Sequence, residues 1–136
     1  ATIDSLNYLK DLILLIKSQR EEFSVLTGFE SYVVPNLISG GDGGIVALSN
    51  FAPDLMKKAI IDFENKDFES LNETHRKILK LSEIYKNSSS FAGAIKISLN
   101  LLGFPIKRKV RVPLLEDEED KVEKIKDILS SLKLLI

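Results

Sequence analysis

The sequence predicts an α/β fold of the parallel type, and three observations carry that prediction. Over residues 1–65 the patterns alternate as helix, strand, helix, strand, helix, the order that builds a parallel layer. The two extended segments, Phe23-Ser24-Val25-Leu26-Thr27 and Ile45-Val46-Ala47-Leu48, are rich in β-formers and largely apolar, as strands covered on both faces are. From residue 66 to 136 every patterned stretch reads as helix, so the chain divides into a strand-bearing part, 1–65, and a helical extension, 66–136.

Taken in order, Asp4 or Ser5 supplies an N-cap for a first helix with Leu6, Leu9, Ile13 and Ile16 at helical spacing, ending near Gln19. Gly28 closes the first strand. A helix over 31–39 is expected to be short or kinked, because Pro35 falls inside it. The run Gly40-Gly41-Asp42-Gly43-Gly44 supplies positive φ angles and feeds the second strand, which Ser49 and Asn50 end. Pro53 suits the first turn of a helix striped by Leu55, Ala59, Ile60 and Phe63. Next come helices over 68–86, with Leu71, Ile78, Leu81 and Tyr85 on one side, and over 91–102, with Ala92, Ile95, Leu99 and Leu102. Gly103 and Pro105 stop the latter. A linker through residues 113–115 leads to a last helix carrying Val122, Ile125, Ile128, Leu129 and Leu132, a stripe that serves either a core or a subunit interface. Ala1-Thr2-Ile3 reads as the end of an extended segment, so the chain is expected to begin mid-fold. Two strands cannot complete a parallel sheet alone, and a barrel of this type takes roughly 250 residues.

Composition excludes more than it assigns. Nineteen basic residues against 20 acidic ones leave a net charge of −1, too little to draw the chain to nucleic acid or an anionic membrane. Without cysteine there is neither a disulfide scaffold nor a thiolate metal site, and the single histidine cannot form an imidazole cluster. No metal is expected. No stretch of about 18 residues lacks charge and no signal peptide is visible, so a cytoplasmic location fits best.

Several motifs favour plain structural readings. The glycine run lies between helix and strand, whereas a phosphate-cradling loop runs from strand to helix. Ile106-Lys107-Arg108-Lys109-Val110-Arg111 is basic but has no aromatic to stack a base, and reads as a solvated linker. Residues 116–120, Glu-Asp-Glu-Glu-Asp, complement a helix N-terminus. His75, between Thr74 and Arg76 on a charged face, is expected at the surface. What remains is the pair of strand ends, with Gly28, Phe29 and Glu30 after one strand and Ala47, Leu48 and Ser49 closing the other. Parallel barrels place their active sites at that edge of the strands.

Those same segments resemble one known family. Phe23 to Glu30 is similar to the seventh strand of the dihydrodipicolinate synthase and N-acetylneuraminate lyase family, which commonly ends in Ser-Gly or Thr-Gly with an acidic residue one or two positions on. Gly40 to Pro53 resembles its eighth strand and Asn-x-x-Pro exit. Residues 88–103, with Ala92, Lys96, Leu101 and Leu102, and Arg111-Val112-Pro113-Leu114 resemble its later helix and Arg-x-Pro-Leu segment. The resemblance implies the C-terminal half of a (β/α)8 TIM barrel followed by a C-terminal helical extension. It implies a pyruvate-dependent aldolase with no cofactor beyond the covalent pyruvate Schiff base on a lysine. That lysine would immediately precede Ala1, since Thr2 matches the Ser or Thr found two residues after it, and no catalytic residue would lie in this chain. Gly28 and Ala47 would line the pyruvate end, Phe29 and Glu30 would face the aldehyde portion, and Ile45 would pack nearby. The partners implied are small molecules, pyruvate and an aldehyde or a 2-keto-3-deoxy sugar acid, in a homotetramer.

Within the family the pattern is most similar to archaeal 2-keto-3-deoxygluconate aldolases, which release pyruvate and glyceraldehyde, and richness in Lys, Ile and Glu suits an archaeal source. Phe29 is apolar where dihydrodipicolinate synthases carry polar or acidic residues and departs likewise from the Ser-Gly-Ser-Asp of the archaeal aldolases, while Ala47-Leu48-Ser49-Asn50 stands where the synthases have Val-Thr-Ala-Asn. The alternatives are a dihydrodipicolinate synthase, condensing pyruvate with aspartate semialdehyde, and a non-catalytic interaction domain.

Overall fold

A computed structural model describes residues 6–19 and 22–135. The N-cap expected at Asp4 or Ser5 and the substrate contact expected of Thr2 lie outside the described residues. The chain divides into two compact units, Ala1–Ile78 and Leu79–Ile136.

In the first unit, α1 (Leu6–Asp11) continues through a π-helical turn, Leu12–Ile16, and a 3-10 turn, Lys17–Gln19. Strand β1 (Leu26–Thr27) is followed by a 3-10 turn, Glu30–Tyr32, and by α2 (Val33–Ile38). Pro35 is tolerated because it falls in the first turn of this six-residue helix, where its missing N–H would have no intrahelical acceptor. Strand β2 (Gly43–Gly44) leads to a 3-10 turn, Ala47–Asn50, then α3 (Pro53–Glu64) and α4 (Phe68–Ser82), within which the division between the units falls.

β1 and β2 pair in parallel, Leu26 opposite Gly43 and Thr27 opposite Gly44. Both strands are shorter than their apolar runs predict, and the second is displaced. Phe23 and Ser24 are exposed, and coverage begins at Val25. The ladder of the second strand lies on the two glycines, upstream of the expected Ile45-Val46-Ala47-Leu48, whose last two residues turn into the 3-10 segment. Close approach explains the shift. A Cβ on Gly44 would stand 3.1 Å from each of Thr27 Cγ2, Thr27 O and Val33 Cγ2, and Gly43 has φ +138°, a conformation that side chains disfavour. Glycines that read as a turn are thus the strand itself.

Polar side chains hold the N-terminal end of this pair. Buried Asn36 donates from Nδ2 to Val25 O and to Gly43 O, both at 3.0 Å, bridging the two strands. Asp42 accepts from Val25 N at 2.7 Å and from Lys17 Nζ. The Lys17 ammonium, then the Val25 amide, hold its carboxyl below the usual carboxylate range. Gly41 is required here for space, because a Cβ would come within 2.2 Å of Asn36 Oδ1.

The buried stripe of α3 is Met56, Ala59 and Asp62, whereas Leu55, Ile60 and Phe63 of the expected stripe are only partly covered. The apolar pattern misplaces the stripe because a carboxylate sits in it. Asp62 accepts from Lys58 Nζ at 2.9 Å, Ser70 Oγ at 3.0 Å and Thr74 Oγ1 at 2.9 Å, tying α3 to the start of α4. These bonds, that from Lys58 foremost, lower its pKa. His75 is half-buried, contrary to the surface position expected for it. Its Nδ1 is enclosed without a hydrogen-bond partner among the described residues, and burial lowers its pKa.

The second unit holds the end of α4, a 3-10 segment (Glu83–Asn87), α5 (Phe91–Leu101) and α6 (Glu119–Ser131). Ser90 caps α5, its Oγ accepting from Gly93 N at 3.0 Å. The buried face of α5 is Gly93, Ala94, Ile97 and Ser98, displaced from the expected Ala92, Ile95, Leu99 and Leu102. Small and polar residues on the packed face hide it from a hydrophobic pattern. α6 buries Val122, Ile125, Ile128 and Leu129 as expected. In the acidic run before it, Glu119 and Asp120 occupy the first turn, whereas Asp117 accepts from Ser89 N at 2.6 Å and from Ser88 Oγ, fastening the approach to α6 beside the start of α5. No helix of the described residues is long and apolar enough to cross a membrane.

Two outcomes follow for the base of the strand pair. Gly41→Ala is expected to destabilise the intact protein by about 1–3 kcal/mol through overpacking, read from urea unfolding. In an Asn36→Ala background the same change costs less, because the obstructing amide is gone. Asp42 has a lowered pKa in the fold, so its contribution is present above the unfolded value of about 3.9 and is lost as pH falls through the folded value. Asp42→Asn is expected to flatten that acid limb of a plot of melting temperature against pH.

Candidate active site

Parallel pairing sends both chains out of the ladder at the same end. Thr27 and Gly44 are opposite each other, and Ile45 N donates to Thr27 O at 2.8 Å, so residues 28–30 and 45–48 leave side by side. Thr27 is fully buried, and its Oγ1 accepts from Phe29 N at 3.2 Å, a local turn that Thr favours and that folds the chain over directly after the strand. Tyr32 N then donates to Phe29 O at 3.0 Å, starting the turn that leads to α2, and the rings of Phe29 and Tyr32 meet at 5.6 Å.

Glu30 closes the arrangement. It is 1% exposed, and its Oε1 accepts from Leu48 N at 2.9 Å. This carboxylate therefore joins the turn after β1 to the turn after β2. The turn that receives it, Ala47–Asn50, is locked further by Asn50 Nδ2 donating to Ala47 O at 2.8 Å.

The structure thus brings together Gly28, Phe29, Glu30, Ile45 and Ala47 at one edge. Gly28, Phe29 and Ala47 are half-buried there. Ile45 is 67% exposed, a large apolar side chain presented at the edge with little cover from the described residues. Among the described residues no cluster of acidic, histidine or cysteine side chains is arranged to hold a metal ion.

Sequence reasoning missed two residues that fix the opposite end of the strand pair, Asn36 and Asp42. The available signal was polarity inside apolar or glycine-rich surroundings, where a buried polar group needs a partner.

Comparison with known proteins agrees with this geometry. The family model described as dihydrodipicolinate synthetase family matches residues 1–132. An uncharacterized DapA-like lyase of Thermococcus kodakarensis is 43% identical over 129 residues, covering 95% of this chain and 44% of its own. A putative 2-dehydro-3-deoxy-D-gluconate aldolase of Escherichia coli, YagE, is 30% identical, covering 98% of this chain and 44% of its own. Its crystal structure in complex with pyruvate superposes with a TM-score of 0.90 over 98% of this chain and 45% of that one. Dihydrodipicolinate synthase of Thermotoga maritima gives a TM-score of 0.85 at 28% identity, over 96% and 44%. The chain therefore spans less than half the length of these relatives.

Removing the Glu30 carboxylate leaves a buried amide at Leu48 without its acceptor. Glu30→Ala is expected to cost about 1–3 kcal/mol in urea unfolding, and Glu30→Gln, which keeps an acceptor, distinctly less.

A match of this extent, on a chain whose two strand ends meet at one edge, means that the chain belongs to the dihydrodipicolinate synthetase family.

Proposed function

We propose that this chain is the C-terminal half of a (β/α)8 barrel with its helical extension, in a Schiff-base aldolase that cleaves 2-keto-3-deoxygluconate, or a related 2-keto-3-deoxy sugar acid, to pyruvate and an aldehyde. The observation that carries the reading is the convergence of residues 27–30 and 45–48 at one end of a parallel strand pair, the end at which such barrels perform chemistry.

In this reading a lysine immediately before Ala1 supplies the amine. It attacks the ketone carbon of the substrate and loses water to give an iminium, which accepts the electron pair of the breaking C–C bond. The hydroxyl beside that bond gives its proton to a base as it becomes the carbonyl of the departing aldehyde, the enamine carbon takes up a proton, and hydrolysis releases pyruvate and the amine. Gly28 and Ala47 keep the pyruvate end free of side-chain bulk. Phe29 and Ile45 border the aldehyde portion with apolar surface. Glu30 acts as a positioning residue, because its carboxylate faces Leu48 N in the interior.

Support for a sugar-acid substrate comes from two Escherichia coli relatives at 30–32% identity, named as probable or putative 2-dehydro-3-deoxy-pentonate and -gluconate aldolases. Support also comes from Ala47-Leu48-Ser49-Asn50, which stands where dihydrodipicolinate synthases have Val-Thr-Ala-Asn. Dihydrodipicolinate synthase is the second reading, favoured by the Thermotoga maritima structure.

Borohydride added with pyruvate is expected to fix one reduced pyruvate on the intact protein, seen by mass spectrometry; an unchanged mass rejects the Schiff base. Comparison of kcat/KM for 2-keto-3-deoxygluconate cleavage with that for condensation of aspartate semialdehyde separates the two readings, the first being the larger here. Ala47→Leu, which fills the pyruvate end, is expected to lower aldolase kcat/KM roughly tenfold or more while the urea midpoint stays close to the parent value.

A further inference from the structure

Beside α5 in the second unit, the chain that follows the helix forms an open groove of about 670 Å³, within the roughly 300–1,000 Å³ typical of small-molecule sites. Its floor is apolar, made by buried Val110 and half-buried Ile106. Its rim carries Lys107, Lys109 and Arg111, one at every second position, all exposed. Lys96 reaches in from α5 and donates to Lys109 O at 2.7 Å, which fastens the segment to the helix and adds a fourth positive charge.

The neighbouring cation shows what an ordinary surface charge does here. Arg108 is absent from the groove lining and lies on Glu119, at 3.2 and 3.1 Å from its two oxygens. Among the described residues no carboxylate stands within ion-pairing distance of Lys107, Lys109, Arg111 or Lys96. A chain with net charge −1 thus gathers four uncompensated cations around one apolar-floored groove, where like charges repel unless an anion joins them. The guanidinium of Arg111 presents a planar fork suited to paired oxygens, and several cations together match a multiply charged anion better than a single carboxylate.

We propose that this groove binds a small soluble phosphate ester, its phosphate among Lys107, Lys109 and Arg111 and its carbon body on Ile106 and Val110. A nucleic acid fits less well, since the groove lining includes no aromatic on which a base could stack.

Isothermal titration of the intact protein with inorganic pyrophosphate as the probe tests the site. Saturable one-to-one binding is expected, weakening as salt is raised and falling about tenfold or more in Lys107→Gln/Lys109→Gln/Arg111→Gln. These side chains are exposed and unpaired, so the melting temperature should hold. If the triple variant does not fold, Lys107→Glu alone is expected to weaken pyrophosphate binding by about threefold or more. Absence of binding at 150 mM salt, a strength at which exposed charges are screened beyond about 8 Å, or equal affinity in the folded variants, overturns the proposal. Retention on vesicles containing phosphatidylinositol 4-phosphate, or capture of a single-stranded oligonucleotide, without binding of soluble pyrophosphate would overturn it in favour of a lipid headgroup or a nucleic acid.

Discussion

The candidate site depends on one constraint, the parallel register that sets Thr27 opposite Gly44. In an antiparallel pair the two chains would leave the ladder at opposite ends, and residues 28–30 could not meet residues 45–48. Two residues of pairing are too little to hold that register by backbone bonds alone, so side chains fix it at both ends. Asn36 and Asp42 grip the entrance, and Glu30 grips the exit by taking Leu48 N. The glycines of β2 make the approach close enough for these ties to form, since a Cβ at Gly44 would press on Thr27 and Val33. Specificity of backbone placement therefore comes from buried polar groups with defined partners, which cost stability when unpaired and fix geometry when paired.

The same device recurs where helices meet. Asp62 gathers Lys58, Ser70 and Thr74 at the corner between α3 and α4, and Asp117 gathers Ser88 and the Ser89 amide beside the start of α5. Both carboxyls have lowered pKa values. Asp62 owes this first to Lys58; in Asp117 burial pushes upward and is outweighed by the hydrogen bonds from Ser88 and Ser89. Each holds a chain reversal that hydrophobic contact alone would leave free to slide.

How much of this was legible in the sequence follows from the same physics. Element order was readable because apolar periodicity reports burial, and α6 shows it best, with Val122, Ile125, Ile128 and Leu129 buried as the spacing predicts. Reading failed where polar or small residues occupy the packed face. Asp62 in α3 and Gly93 with Ser98 in α5 displaced the expected stripes, and Gly43-Gly44 was read as turn although it forms the ladder. The meeting of the two strand ends was expected from their position after apolar runs and from family resemblance. The inward carboxylate of Glu30 was not, because its acceptor role depends on an amide 18 residues away, a relation that no local pattern encodes.

Under the proposed function the chemistry takes place at a small-residue edge bordered by Gly28 and Ala47, with the apolar side chains of Phe29 and Ile45 beside it. A crystal structure of the intact protein trapped with pyruvate tests that placement most directly. The account predicts the lysine-bound pyruvate against the backbone of Gly28 and Ala47, at the end of the strands where Glu30 meets Leu48. Pyruvate bound at the opposite end, near Asn36 and Asp42, or attached to an amine remote from both strand ends, would contradict it.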